Sequence, residues 1–208
     1  MIADEASARD FSAERVDPDG LARLERFAAL LGEENAQQNL VSAASLATVW
    51  QRHFADSLQL LDHVSRETAP WLDLGSGAGI PGLVLACARP EMPIVLVESR
   101  KRRVDWLIRA SAALELAKCR IVGARLENVE SFTAGVIVAR AFAPLGKLLH
   151  LSARFSTRDT TWLLPKGRSA AQELSEQPPG VRALFHVEQS RTDPEGGILI
   201  GRGIPQVR

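Results

Sequence analysis

Apolar and polar positions follow two different rhythms along the chain. Leu21, Leu24, Phe27, Ala28 and Leu31 recur at helical spacing behind Asp17-Pro18, an N-cap with a first-turn proline. Leu46, Val49, Trp50, Phe54, Leu58 and Leu61 form a second stripe and predict another helix, capped near Ser45. From Trp71 the rhythm changes: short apolar runs alternate with helical stretches. Strands are expected near 70–74, 94–98, 120–123, 135–140, 161–165, 183–188 and 197–202. Such alternation implies βαβ units and a parallel sheet. The last two runs have only polar, turn-rich residues between them, so they should pair as an antiparallel edge hairpin. The expected fold is α/β: a Rossmann-like doubly wound sheet of seven strands, with a small N-terminal helical cap. Residues 1–16 are expected to be disordered or frayed, 17–69 to form the cap and 70–208 the Rossmann-like domain.

At 208 residues the chain can bury a sizeable core in one domain. No apolar run approaches the ~20 residues needed to cross a bilayer, so no membrane partner is expected. The opening Met1-Ile2-Ala3-Asp4-Glu5 has neither a basic region nor an apolar stretch, which makes the cytoplasm the expected compartment. The two cysteines, Cys87 and Cys119, have no paired spacing and read as core thiols. Net charge is zero, yet it is unevenly spread. Residues 1–69 hold 6 Lys/Arg against 12 Asp/Glu, and residues 70–208 hold 19 against 13. A phosphate-bearing partner could therefore meet a basic body alone.

The densest chemistry lies in Trp71-Leu72-Asp73-Leu74-Gly75-Ser76-Gly77-Ala78-Gly79-Ile80-Pro81-Gly82, an apolar strand that carries a carboxylate and breaks into a glycine loop before a helix. Glycines there permit positive φ and close approach of backbone amides to a ligand. Glu98 ends the next apolar run, 23 positions after Gly75, where a doubly wound fold places its ribose-hydroxyl acceptor. The dinucleotide fingerprint would need glycine at position 80, which holds Ile80, and Asp73 would repel a pyrophosphate. S-adenosyl-L-methionine carries no phosphate. Its ammonium, sulfonium and ribose suit a carboxylate-lined site, so it is the expected cofactor, held by Asp73, Gly75, Gly77, Gly79 and Glu98.

Ligands in parallel sheets gather at the carboxyl ends of the strands. Those ends further supply Arg125-Leu126-Glu127, Arg140-Ala141-Phe142-Ala143-Pro144 and Pro165-Lys166-Gly167. Arg140 and Lys166 would bring positive charge to the target side, unless they form structural ion pairs with Asp73 and Glu98. The fourth strand lacks the polar-Pro-Pro-aromatic tetrapeptide of exocyclic-amine methylation and the acid of ribose methylation, and no cysteine stands where cytosine C5 chemistry needs one. What remains is a nucleophile with a free lone pair and no proton to lose, such as guanine N7, for which no catalytic base is needed. Arg100-Lys101-Arg102-Arg103 opens a helix where the macrodipole disfavours cations, which suggests that Arg100 and Arg103 face phosphate. His53 lies beside Arg52 and Phe54, and His63, His150 and His186 show no metal-ligand spacing; no metal is expected.

These motifs resemble those of the bacterial small-subunit ribosomal RNA guanine-N7 methyltransferases, the RsmG or glucose-inhibited division protein B family. The resemblance runs from Leu21 through Asn39-Leu40-Val41-Ser42, Arg52-His53, Asp56-Ser57-Leu58, Asp73 to Gly82, Lys101-Arg102, Arg125-Leu126-Glu127, Ala139 to Ala143 and Lys166-Gly167. The chain departs from the family pattern at Glu34-Asn35, where an aromatic usually precedes the asparagine, and at Gly196-Gly197, where basic residues are common. The resemblance implies a class I methyltransferase fold in which Gly75, Ile80, Leu126, Glu127 and Arg140 contact S-adenosylmethionine. It also implies a guanine target in the decoding-region loop of 16S ribosomal RNA, on naked RNA or the small ribosomal subunit. His53, Arg100, Arg103, Arg140 and Lys166 are the expected substrate contacts, and the protein is expected to act as a monomer. Two other functions remain open: a methyltransferase for a free small molecule, and a cofactor-sensing interaction module without catalysis.

Overall fold

The computed structural model describes residues 1–206. Its order is α1 (Glu5–Ala13), α2 (Pro18–Asn35), α3 (Ala43–Ala47), a π-helical stretch (Trp50–Ala55), α4 (Asp56–Leu58) and a 3-10 segment (Gln59–His63). The sheet region follows as β1 (Trp71–Leu74), α5 (Gly82–Ala88), β2 (Ile94–Glu98), α6 (Lys101–Ala113), β3 (Cys119–Gly123) and β4 (Val136–Val138). It closes with α7 (Leu145–Ser152), β5 (Thr161–Gly167), α8 (Ala170–Ser175), α9 (Pro179–Arg182), β6 (Phe185–Gln189) and β7 (Gly197–Arg202).

The seven strands lie in the order β3-β2-β1-β4-β5-β7-β6. The first five are parallel, while β7 runs antiparallel to both β5 and β6. This is the expected doubly wound sheet with its antiparallel edge hairpin. Strand order reverses between β1 and β4, and that switch point is where such sheets hold ligands.

Period-two alternation in β1 divides the core. Trp71 packs with Leu24, Phe27 and Phe54 on the face covered by α2, α5 and α6. Leu72 and Leu74 pack on the other face with Leu148, Leu149, Phe155 and Trp162. The helical cap therefore shares a continuous apolar core with one face of the sheet.

Two expectations are corrected. Residues 1–16 are not frayed: Asp4 caps α1 by accepting from the Ser7 amide at 2.8 Å, and Ala8 is fully buried. The Glu5 carboxylate accepts from the backbone amides of Trp50 and Gln51, which ties α1 to the π-helical stretch. The short helix was hidden because its buried face consists mainly of small residues, Ala8 and Ser12. The second predicted helix is also not continuous. Ser42, three residues before Ser45, caps α3, and the stripe then runs through π, α and 3-10 geometry while still burying Val49, Phe54, Leu58 and Leu61.

Candidate functional site

β1 ends in a loop whose Gly75, Gly77 and Gly79 all have positive φ. At Gly75 (φ +68) a Cβ would lie 2.6 Å from the Phe142 ring, and at Gly79 (φ +90) one would lie 2.5 Å from Leu83 Cδ1. The loop is thus pressed against the end of β4 on one side and the α5 helix on the other. Only glycine combines that dihedral with that clearance. The Trp106 indole donates to the Ala78 carbonyl at 3.1 Å, anchoring the loop to α6 as well.

Two carboxylates organise this region. Asp73 is fully buried; its Oδ2 accepts from the Gly82 amide at 3.2 Å, while its Oδ1 has no partner. Burial pushes its pKa up to about 7. Glu98, at the end of β2, accepts from Gly77 at 3.0 Å and from Ser99 and Arg100 at 2.8 Å each. Its charge therefore sits at the α6 N-terminus and offsets the cations there, which explains how Arg100 to Arg103 are tolerated at a dipole end that opposes them.

Beside these groups a cavity of about 340 Å³ opens, lined among others by Gly75, Glu98, Arg100, Arg103, Leu126 and Glu127. Of the expected cofactor residues, Gly75, Glu98, Leu126 and Glu127 line it. Gly77 reaches it through Glu98, whereas Asp73 and Ile80 are packed behind the loop. Arg125 and Lys147 add to the cationic rim. Arg140 lines a second cavity of about 740 Å³, together with Phe142, Pro144, Pro165, Lys166 and Glu173. Residues 141–143 border both cavities and form the wall between them. In this wall Ala141 holds a left-handed backbone (φ +53), strained for a residue with a Cβ.

Arg140 and Lys166 do not pair with Asp73 or Glu98. Arg140 donates to the Arg52 carbonyl at 3.0 Å, Asp56 Oδ2 at 3.2 Å and His53 Nδ1 at 2.8 Å. Since Nδ1 accepts, the imidazole is neutral; burial first, and the Arg140 charge second, hold His53 down to about 3. Lys166 sits where the β5–β7 register shifts between Pro165 and Gly167, a bulge that re-aims its side chain. Its Nζ donates to the Ala143 carbonyl at 2.8 Å and to Glu173 at 2.9 Å. Sequence reasoning missed Phe142 as the shared wall and Glu173 as the partner of Lys166. Glu173 follows Lys166 by seven residues in an ordinary polar helix, which carries no signal of the contact.

The glycine cradle, the buried acids and the cavity at the carboxyl ends of β1 to β3 suit a cationic nucleoside ligand, and the sheet order is that of class I S-adenosylmethionine-dependent methyltransferases. The chain is similar in fold to a ribosomal protein L11 methylase from Lactobacillus delbrueckii subsp. bulgaricus (TM-score 0.56, 13% identity, covering 76% of this chain and 79% of that one). It is also similar to a TehB-like SAM-dependent methyltransferase from Corynebacterium glutamicum (TM-score 0.53, 16% identity, 71% and 87% covered). The family model for rRNA small subunit methyltransferase G, GidB, matches residues 20–192. Ribosomal RNA small subunit methyltransferase G of Erythrobacter litoralis is 63% identical over 203 residues, with 98% of each chain covered. That of Novosphingobium aromaticivorans is 54% identical, covering 90% of this chain and 82% of its own. The chain belongs to the rRNA small subunit methyltransferase G family.

Proposed function

We propose that this protein transfers a methyl group from S-adenosylmethionine to N7 of a guanine in the decoding-region loop of 16S ribosomal RNA, without a general base. The observation that carries this reading is the pair of cavities sharing the wall 141–143: one is lined by Gly75, Glu98 and Glu127 inside a basic rim, the other by Arg140, Lys166 and Glu173. The bound cofactor supplies an electrophilic methyl on a sulfonium. Glu98, with one acceptor position left on Oε2, would accept from a ribose hydroxyl, Gly75, Leu126 and Glu127 would pack against the cofactor, and Asp73, Gly77, Gly79 and Ile80 set the shape of the loop, with the unpartnered Asp73 Oδ1 favouring positive charge nearby. Arg140, oriented by His53 and Asp56, and Lys166 orient the guanine or its phosphate. Arg100 and Arg103 meet RNA phosphates beside the cofactor cavity. None of these side chains needs to take a proton, because N7 attacks with its own lone pair.

In this reading residues 70–208 are the methyltransferase domain and 17–69 its helical cap, acting as a monomer, without a metal, in the cytoplasm. No described helix is long and apolar enough to cross a membrane, and among the described residues no cluster of His, Cys, Asp and Glu could hold a metal ion. The deciding experiment is to incubate the protein and S-adenosylmethionine with small subunits and with naked 16S RNA from cells lacking the gene, then map 7-methylguanosine. One modified guanine in the decoding-region loop is expected. No methyl transfer to either substrate, despite cofactor binding, would leave the cofactor-sensing module as the function.

A further inference from the structure

Beyond binding and orienting its target, the second cavity has one feature the proposed reaction does not use. Among the residues lining it, Glu173 is the only acid, set amid Arg140, Lys166, two prolines and the 141–143 wall. Its carboxylate is held rigidly. Oε2 accepts from the Leu145 amide at 2.7 Å, capping α7, and from Lys166 Nζ at 2.9 Å; Oε1 accepts from the Ser169 hydroxyl at 2.7 Å. Three of roughly four acceptor positions are filled and one on Oε1 is left. Burial works against the charged form, but the hydrogen bonds from Lys166, Ser169 and Leu145 more than offset it and keep the carboxyl below its usual range. The cavity therefore presents one fixed, ionised acceptor with a vacant lone pair.

We infer that Glu173 is a specificity-determining residue that accepts a hydrogen bond from the 2-amino group of the target guanine. The inference rests on the guanine-N7 reading above. Within a guanine, N7 and O6 share one edge and the 2-amino group lies across the purine from them. If N7 faces the cofactor side of the cavity, at the Phe142 wall, the 2-amino group points away from it. Glu173 lines this cavity and not the cofactor cavity, so it stands on the side the amine reaches. The cations Arg140 and Lys166 are matched to acceptors, O6 or phosphate, and a base without the amine would leave the carboxylate's last acceptor position buried and unpaired.

Single-turnover transfer decides this, using small subunits reconstituted with guanosine or inosine at the target position. Inosine keeps N7, O6 and N1–H and lacks only the 2-amino group. The wild-type protein should prefer guanosine by about 10- to 100-fold, the scale of one charged hydrogen bond. In Glu173→Ala the loss of the Leu145 and Lys166 contacts should slow both substrates, and guanosine by that further factor, bringing the ratio close to one. Lys166→Met also loosens the clamp on Ala143 and Leu145 but leaves the carboxylate, so it should slow both substrates and keep the ratio. Should Glu173→Ala fail to fold, Glu173→Gln, equal in length, is to be judged by the same ratio, which should shrink. An unchanged guanosine-to-inosine ratio in a folded Glu173 variant overturns the inference while leaving N7 transfer intact. No transfer to guanosine by the wild type would instead sink the reading on which the inference rests.

Discussion

Asp73 and Gly82 fit each other and nothing larger: Asp73 Oδ2 accepts the Gly82 amide at 3.2 Å, and a Cβ at position 82 would lie 2.5 Å from that oxygen. The contact joins the end of β1 to the start of α5 and closes the glycine loop from behind. It also fixes the environment in which Asp73 titrates, because the helix it caps shuts out water.

The pH dependence of stability follows from that burial. Asp73 is raised to about 7 from an ordinary 3.8. Between those values the folded protein keeps a proton that the unfolded chain has released. Its contribution to stability is complete below the unfolded value and is lost as pH rises through about 7. Urea unfolding of the cofactor-free protein should therefore show stability declining from about pH 4 to 7, with a smaller decline in Asp73→Asn. Equal slopes in the two proteins would mean that Asp73 titrates normally. Because a cationic ligand favours the carboxylate, S-adenosylmethionine should also bind more tightly at pH 8 than at pH 6 in the wild type and lose that dependence in the variant.

The second carboxylate gives a prediction about affinity. Glu98→Gln is expected to weaken S-adenosylmethionine binding by ~1–3 kcal/mol, since the ribose loses a charged acceptor. Glutamine preserves length but has one carbonyl oxygen where Oε2 accepts from Gly77 and Oε1 from Ser99 and Arg100, so its amino group faces at least one backbone N–H, and thermal unfolding is to be measured beside the titration. Calorimetric titration reads the change, and NAD should give no heat in either protein. Full affinity in the folded variant would remove Glu98 from the site.

Much of this was legible in the sequence, for identifiable reasons. All seven strands were visible because each is a short apolar run ended by turn residues, and the glycine loop because Gly75, Gly77 and Gly79 occupy positive φ that few other residues accept. The α1 helix was not legible, since its anchor is the contact of Glu5 with the amides of Trp50 and Gln51, some 45 residues away in sequence. The break of the second helix into π and 3-10 turns was equally hidden, because its apolar stripe survives the change in geometry. In the site, spacing identified the groups but not their pairings. Arg140 turned out to be held by His53 and Asp56, and Lys166 by Glu173, contacts set by tertiary packing and a bulge.

The basic cluster at α6 yields a prediction about salt. Arg100 is exposed and Arg103 lines the cofactor cavity, whereas Arg102 is engaged with the Gln37 carbonyl at 3.1 Å. Arg100→Ala with Arg103→Ala should weaken binding to the small subunit, and by a larger factor than any change in cofactor affinity, although both side chains line the cavity of about 340 Å³. For every phosphate left unneutralised, the slope of log affinity against log salt should become shallower by about 0.7 to 0.9. A slope equal to that of the wild type would place both arginines outside the RNA interface.

Proton chemistry provides the sharpest test of N7 as the nucleophile. His53, hydrogen-bonded to the Arg140 side chain that lines the second cavity, is held down to about 3 and accepts rather than donates at Nδ1. It stays neutral across the working range, and its Nδ1 lone pair is already engaged by Arg140, so it is poorly placed to take a proton from substrate. N7 has none to give. Single-turnover transfer at saturating cofactor and RNA should therefore be nearly flat from about pH 6 to 9, even though cofactor affinity varies with Asp73. His53→Asn should weaken RNA binding, because Arg140 loses one of its supports, and yet leave transfer at saturation within a few-fold of wild type. A rate that climbs with a pKa near that of free histidine and disappears in His53→Asn would reveal a protonated nucleophile. Placing 7-deazaguanine at the target removes the lone pair while keeping the Watson–Crick edge, so binding should persist and transfer should stop. Any methylation of that base would exclude N7.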